Sequence, residues 1–111
     1  MSSNINSMLQ ECTEGLLKIF GKKLRQVILY GSHARGDFDS DSDVDVMVLV
    51  EMSEENIMAN REKVTDLGAR ISYNSDIMLS IIVKDVAHFN NWLPVYPLYK
   101  TIKEEGVEVF G

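Results

Sequence analysis

One short segment limits what this chain can fold into. The seven residues from Val44 to Val50 are apolar at every position except Asp45. A near-continuous apolar run of this length, rich in valine, is typical of a β-strand that is buried on both faces. The segment therefore predicts a strand inside a sheet that has helices packed against it.

Other segments have the periodicity or the boundary residues of helices. Apolar residues recur at intervals of three and four in the first segment, and Gly21 follows it as a helix stop. Ser53 precedes two glutamates, as a helix N-cap does, and Asp85 is suited to cap a short helix. We predict helices at residues 4–20, from Ser53 to about residue 72, after Asp85, and at residues 98–105.

Two further strands are predicted, at residues 26–30 and from Asp76 to residue 83, and residues 107–110 form a short edge strand or a tail. The short link between the first two strands permits an antiparallel pair. A helix joins the second and third strands, which is typical of a parallel crossover. The predicted fold class is α+β, a single domain spanning residues 1–111 with a small mixed sheet of three to four strands flanked by helices.

Five aspartates alternate with other residues just before and within the apolar strand: Asp37, Asp39, Asp41, Asp43 and Asp45. Like charges that close repel one another, so a positive group is expected among them. Asp43 and Asp45 project to the same side of a strand, about 7 Å apart. If the third strand is a parallel neighbour, Asp76 at its beginning approaches that pair.

An antiparallel first strand brings its end, Gly31-Ser32, to the same edge of the sheet. Glycine lets the backbone approach a phosphate closely, and Ser32 offers a hydroxyl and N–H donors. Carboxylates gathered in a partly buried site need a cation, and oxygen ligands suit Mg²⁺ or Mn²⁺. The residues therefore predict a two-metal site for phosphoryl-type chemistry, with Asp43, Asp45 and Asp76 as ligands.

Other interpretations of the acidic segment are weaker. A calcium-binding loop that starts at Asp37 requires glycine at its sixth position and glutamate at its twelfth, where this chain has Ser42 and Val48. A P-loop requires Gly-Lys-Ser/Thr after the turn, and Gly31-Ser32 lacks it. A solvated acidic turn is the remaining alternative, and it fits Asp37, Asp39 and Asp41 better than the pair at the strand.

The motifs together resemble a known superfamily. Gly31-Ser32, ten residues and then Asp43-Val-Asp45, between two strands, resembles the nucleotidyltransferases related to DNA polymerase beta, and within them the minimal nucleotidyltransferases of prokaryotes. Ala34-Arg35-Gly36, Ser42 and the ending Pro97 to Gly106 extend the resemblance.

The resemblance assigns roles to these residues. It implies that Asp43 and Asp45 hold two Mg²⁺ or Mn²⁺ ions, and that Asp76 completes the metal site and acts as general base. It implies that Gly31 and Ser32 hold the nucleoside triphosphate, ATP in our interpretation. Arg35 either contacts the phosphates or forms a salt bridge with a neighbouring aspartate.

Bulk properties restrict the partners. The net charge of −6 argues against nucleic acid, and no apolar run reaches the length of a membrane span. The N-terminus lacks a secretory signal, and the single cysteine, Cys12, excludes an internal disulfide, so a cytoplasmic protein is expected.

We do not expect Cys12 to be a catalytic thiol. His33 either contacts a nucleotide or the partner or, as is more usual for a loop histidine near acids, forms hydrogen bonds at the surface. The aromatic residues from Phe89 to Tyr99 either pack in the core or form a protein interface.

The acceptor is the open point. A chain of 111 residues leaves no obvious second domain to hold one, so the acceptor docks as a partner or another subunit completes the pocket, as in a homo-oligomer. The resemblance implies a small helical partner of the HEPN class, a toxin whose tyrosine is adenylylated by this antitoxin. The alternatives are a non-catalytic binding module, and nucleotidyl transfer to a small molecule or an RNA end.

Overall fold

The sheet is mixed and has four strands. The computed structural model describes residues 3–37 and 42–111. The strands are β1 (Leu24–Tyr30), β2 (Val44–Val50), β3 (Leu79–Asp85) and β4 (Val107–Phe110). Their order in the sheet is β3-β2-β1-β4, with β1 antiparallel to both of its neighbours and β2 parallel to β3. The predicted α+β class, the antiparallel first pair and the parallel crossover are confirmed.

Helices pack against the sheet. They are α1 (Ser3–Phe20), α2 (Ser32–Arg35), α3 (Glu54–Ala59), α4 (Arg61–Ser75), α5 (Val86–Trp92) and α6 (Pro97–Glu105), with a turn of 3-10 helix at Gly21–Lys23. Both predicted caps are formed, because Ser53 Oγ accepts a hydrogen bond from Asn56 N–H and Asp85 Oδ1 accepts one from Ala87 N–H.

The helix predicted from Ser53 to about residue 72 is two helices, α3 and α4, separated at Asn60. The side chain of Asn60 donates a hydrogen bond to the Asn56 carbonyl at 2.9 Å, and its backbone N–H bonds to the Ile57 carbonyl at 3.0 Å. Asparagine competes in this way for backbone groups, which weakens a continuous helix.

Strand β2 lies between two apolar clusters, as a strand buried on both faces should. Val44, Val46, Val48 and Val50 pack on one face with residues of α1 and α4. Met47 and Leu49 pack on the other face in a cluster that includes residues of α5 and α6. Asp45 is the member of β2 that is only partly buried, so the strand is apolar wherever a helix covers it.

Strand β3 begins at Leu79, so the prediction that it begins at Asp76 is wrong. Asp76 caps the end of α4 in the left-handed conformation, with φ 61°, and its N–H bonds to the Ser72 carbonyl at 3.0 Å. Ser72 Oγ accepts a hydrogen bond from Leu79 N–H at 2.9 Å. These bonds hold the chain in a turn for two residues beyond Asp76 before the sheet pairing starts.

The aromatic segment near the C-terminal end divides between core and surface. Phe89 and Tyr99 are buried, and their ring centroids are 4.7 Å apart. Trp92 and Tyr96 stack on each other with centroids 5.4 Å apart, and they are 43% and 40% exposed. Part of the segment therefore serves core packing, and part lies at the surface. None of the helices in the described residues is both long and apolar enough to cross a membrane.

Candidate active site

Three strand ends meet at one edge of the sheet. Tyr30, the last residue of β1, pairs with Asp45 near the start of β2. On the other side, Asp45 pairs with Ser80 of the parallel strand β3, and Val44 N–H bonds to the Met78 carbonyl at 2.9 Å. The acid pair therefore lies between the end of β1 and the beginning of β3.

Gly31 and Asp45 are in close approach at this edge. Gly31 has φ 81° and ψ −157°, a conformation that is nearly restricted to glycine. A Cβ added to Gly31 would lie 2.7 Å from Asp45 Oδ2, closer than real Cβ atoms come to a neighbour. The turn thus leaves a gap beside the Asp45 carboxylate that any side chain at residue 31 would fill.

Ser32 opens the helical turn α2, as the sequence indicates. The Gly31 carbonyl accepts hydrogen bonds from Ala34 N–H and Arg35 N–H, each at 3.1 Å. Gly36, with φ 84°, ends the turn, and its N–H bonds to the Ser32 carbonyl at 2.9 Å. The Gly-Ser turn is therefore fixed by backbone bonds that leave the Ser32 side chain out of the helical hydrogen bonding.

His33 connects this turn to the acid pair. It is only 7% exposed, and its Nε2–H donates a hydrogen bond to the Ser42 carbonyl at 3.2 Å. Because Ser42 directly precedes Asp43, the imidazole holds α2 against the entry to β2. The expectation that His33 lies at the surface is wrong, since its side chain is buried and bonded to the backbone just before β2.

The electrostatics of the pair match a cation site. Partial burial and the nearby Asp43 carboxylate raise the pKa of Asp45, whereas His33 lowers it. Burial, followed by the Asp45 charge, also raises the pKa of the Tyr30 phenol. A bound cation would stabilise the charged Asp45 carboxylate beside Asp43, and these oxygen donors suit Mg²⁺ or Mn²⁺.

Asp76 does not join the pair in a compact ligand set. Residues 3–37 and 42–111 contain no group of three or more histidine, cysteine, aspartate or glutamate side chains that could hold a metal ion. Asp76 lies at the same edge of the sheet, two residues before Met78. Its role as third ligand and base remains a prediction, and at the level of Asp45 the β3 residue is Ser80.

Arg35 forms a salt bridge with a neighbouring aspartate, which was one of the two roles predicted for it. Its Nε is 3.1 Å from Asp37 Oδ2, and its Nη1 is 3.6 Å from Glu105 Oε2. All three side chains are exposed, so these pairs contribute little to stability. The guanidinium can therefore be released for a phosphate at small cost. Asp39 and Asp41, predicted to be solvated loop residues, lie outside the described residues.

Cys12 is fully buried in α1, and burial raises the pKa of its thiol to about 12. A thiol in this environment is protonated and inaccessible, which makes it unsuitable as a nucleophile.

The comparisons with known proteins agree with this geometry. Residues 9–108 match the family described as nucleotidyltransferase domain, and the chain belongs to that family. It is 38% identical over 79 residues to "Putative protein adenylyltransferase MJ0141" of Methanocaldococcus jannaschii, covering 71% of this chain and 78% of that protein.

Two solved structures have a similar fold. One is a toxin–antitoxin with AMP-PNP, with a TM-score of 0.62 and 20% identity, over 93% of this chain and 73% of the other. The second is a tri-AMPylated Shewanella oneidensis HEPN toxin in complex with MNT antitoxin, with a TM-score of 0.51 and 18% identity, over 93% of this chain and 72% of the other. At these identities the structural likeness extends to the fold alone.

Proposed function

We propose that this nucleotidyltransferase transfers AMP from ATP to a hydroxyl group on a partner protein, and that it requires Mg²⁺ or Mn²⁺. The observation that carries the proposal is the close approach of Gly31 to the Asp45 carboxylate, beside Asp43. A phosphate chain and a divalent ion need these two features within a few ångströms of each other.

Each of the residues at this site has a role in the proposed reaction. Asp43 and Asp45 hold the metal ions, two of them in our interpretation, and Gly31 with Ser32 accommodates the triphosphate. When bound, the ions supply positive charge that stabilises the attacking and leaving oxygens. Arg35, released from Asp37 and Glu105, would add a positive charge at the phosphates.

The reaction is a displacement at the α-phosphorus. The acceptor oxygen forms a bond to that phosphorus, the bond from it to the bridging oxygen of the β-phosphate breaks, and pyrophosphate leaves. The proton of the acceptor hydroxyl moves to a base, for which Asp76 is our candidate. Its place at the same edge of the sheet supports this assignment.

The partner is proposed from the relatives. The Methanocaldococcus jannaschii relative is named for protein adenylylation, and one similar fold is that of an antitoxin bound to an AMPylated HEPN toxin. We therefore propose a tyrosine of a HEPN-type protein as acceptor, with this chain as its antitoxin. The net charge of −6 disfavours an RNA acceptor.

A labelling experiment tests the transfer. The protein is incubated with α-³²P-ATP, Mg²⁺ and the product of its neighbouring gene, and label is followed on that product. Asp43→Asn and Asp45→Asn should abolish labelling, whereas Asp66→Asn, at an exposed acid on α4, should retain it. Equal labelling by all four proteins, or label that requires no divalent ion, would refute the proposed chemistry.

A binding module without catalysis is the second candidate, and one observation favours it. Among the residues that the structure describes, no third acid joins Asp43 and Asp45 in a metal-holding group. In that case the partner would bind with equal affinity to the wild type and to Asp45→Asn, and no label would be transferred. Titration calorimetry with the partner, run beside the labelling assay, separates the two candidates.

A further inference from the structure

Three side chains from three strands lie at one level on one face of the sheet. Pairing places Tyr30 of β1 and Ser80 of β3 on either side of Asp45. One level further into the sheet, Ile28, Met47 and Ile82 form the equivalent row in the cluster that α5 and α6 cover. The row with Asp45 is therefore on the same face, where Tyr30 packs against that cluster and Asp45 is only partly buried.

Ser80 has the geometry of a ligand to an ion held by the pair. Neighbouring strands are about 4.8 Å apart, so its side chain starts nearer to Asp45 than Asp43 does, since residues i and i+2 of a strand are about 7 Å apart. Ser80 is partly exposed, and its hydroxyl forms no hydrogen bond with the other described residues. Its oxygen is thus available on the side of the carboxylates.

Asp76 is less well placed for that position. It precedes Ser80 by four residues, and it lies in the left-handed cap of α4 outside the strand pairing. Its side chain is exposed, and the chain passes through Ile77 and Met78 before it joins β2. The level of Asp45 on β3 is therefore occupied by a hydroxyl.

We propose that Ser80, rather than Asp76, completes the protein ligand set of the divalent ion on Asp43 and Asp45. This inference rests on the proposed function, because it concerns the same metal site. A neutral hydroxyl in place of a third carboxylate makes the ion weakly held until nucleotide phosphates add their oxygens. The affinity of this site for the metal ion therefore depends on bound ATP.

Metal binding without nucleotide tests the proposal independently of transfer. The free Mn²⁺ signal in electron paramagnetic resonance is titrated with the wild type and with Ser80→Asp, Ser80→Ala and Asp76→Asn. Ser80→Asp should bind Mn²⁺ about tenfold or more tightly, since affinity follows the number of charged ligands. Ser80→Ala should bind a few-fold more weakly, and Asp76→Asn should match the wild type.

A charge control separates ligation from long-range attraction. Asn91→Asp adds one negative charge on an exposed position of α5, far along the chain from the acid pair. A gain in Ser80→Asp that is no larger than in Asn91→Asp would overturn the inference. So would a loss in Asp76→Asn as large as in Asp45→Asn, with the Ser80 variants unchanged.

A second variant keeps the inference testable if Ser80→Asp fails to fold. Ser80→Cys places a soft thiolate at the same position, and it should raise the affinity for Cd²⁺ relative to Mn²⁺. Buried Cys12 is present in the wild type and serves as the reference. An unchanged preference would overturn the proposal. If neither the wild type nor any variant binds Mn²⁺, with AMP-PNP added as well as without it, both this inference and the metal-dependent function fail. Failure confined to the Ser80 variants leaves the function standing.

Discussion

The substitution Gly31→Ala tests the geometry of the proposed site most economically. Gly31 adopts φ 81° and ψ −157°, in a region where a residue with a Cβ is strained by about 1–3 kcal/mol. The new Cβ would also meet Asp45 Oδ2 at 2.7 Å and turn that carboxylate out of its rotamer, at a cost of about 0.5–1.5 kcal/mol. We expect a total loss of stability of about 1.5–4.5 kcal/mol.

Gly36→Ala is the matched control. Gly36 also has a positive φ, 84°, but a Cβ there meets nothing within 4 Å. Left-handed backbone alone costs about 1–2 kcal/mol for such a residue. Because Gly31 has ψ −157° and Gly36 has ψ 8°, the difference in stability between the two variants contains the contact with Asp45 together with the greater backbone strain at residue 31, and Mn²⁺ binding separates the two.

Urea unfolding followed by circular dichroism provides the free energies, and Mn²⁺ titration of the folded variants provides the second readout. Gly31→Ala should lose more stability than Gly36→Ala and should bind Mn²⁺ more weakly, because Asp45 is displaced. Equal losses in the two variants, with unchanged Mn²⁺ binding in Gly31→Ala, would refute the reasoning that these two residues share a site.

Three further predictions follow from the packing and charge of the chain. Asp45→Asn should stabilise the metal-free protein near neutral pH, because the pKa of Asp45 in the folded state lies above its ordinary value of 3.8. The stability of the wild type therefore falls as the pH rises from the unfolded-state pKa to the folded-state pKa. Urea unfolding at several pH values should show that the advantage of the variant shrinks in acid. Cys12, with a pKa of about 12 and no exposure, should react with Ellman's reagent only as fast as the protein unfolds; rapid labelling of the native state would contradict its burial. Gly15→Ala in α1 should destabilise the protein by about 1–3 kcal/mol, because the new Cβ would lie against the Leu67 side chain, and this outweighs the higher helix propensity of alanine. A gain in the unfolding free energy would show instead that α1 and α4 separate easily.

The elements of the sheet could be predicted from the sequence because their signals are local. Alternation and apolar runs identified β1 and β2, and the short link between them allowed their antiparallel pairing. The helical segment between β2 and β3 is typical of a parallel crossover, whether it forms one helix or two. The edge position of β4 follows from the same sheet, in which β1 has one side left to pair.

The residue level at which strands pair could not be predicted in the same way. The start of β3 is set by the left-handed cap at Asp76 and by the bond between Leu79 N–H and Ser72 Oγ, and no periodicity encodes either. An acid at the beginning of an apolar run was therefore assigned to the strand, and Ser80 was overlooked. The sequence carried no signal for Ser80, because its level in the sheet depends on where β3 starts.

His33 was missed for a related reason. Its burial goes with a contact between the turn after β1 and Ser42, nine positions further along the chain, and local sequence does not encode such a contact. A histidine beside charged loop residues is usually exposed, so the neighbouring residues predicted an exposed side chain. The close approach of Gly31 to Asp45, by contrast, followed from the strand ends and was predicted as a shared edge.

A crystal structure with Mn²⁺ and AMP-PNP, read from the anomalous signal of the metal, tests the central claim most directly. We expect Mn²⁺ bound to carboxylate oxygens of Asp43 and Asp45, with the triphosphate against the Gly31-Ser32 backbone. Metal and triphosphate bound at another surface of the protein, with Asp43 and Asp45 left facing solvent, would contradict it.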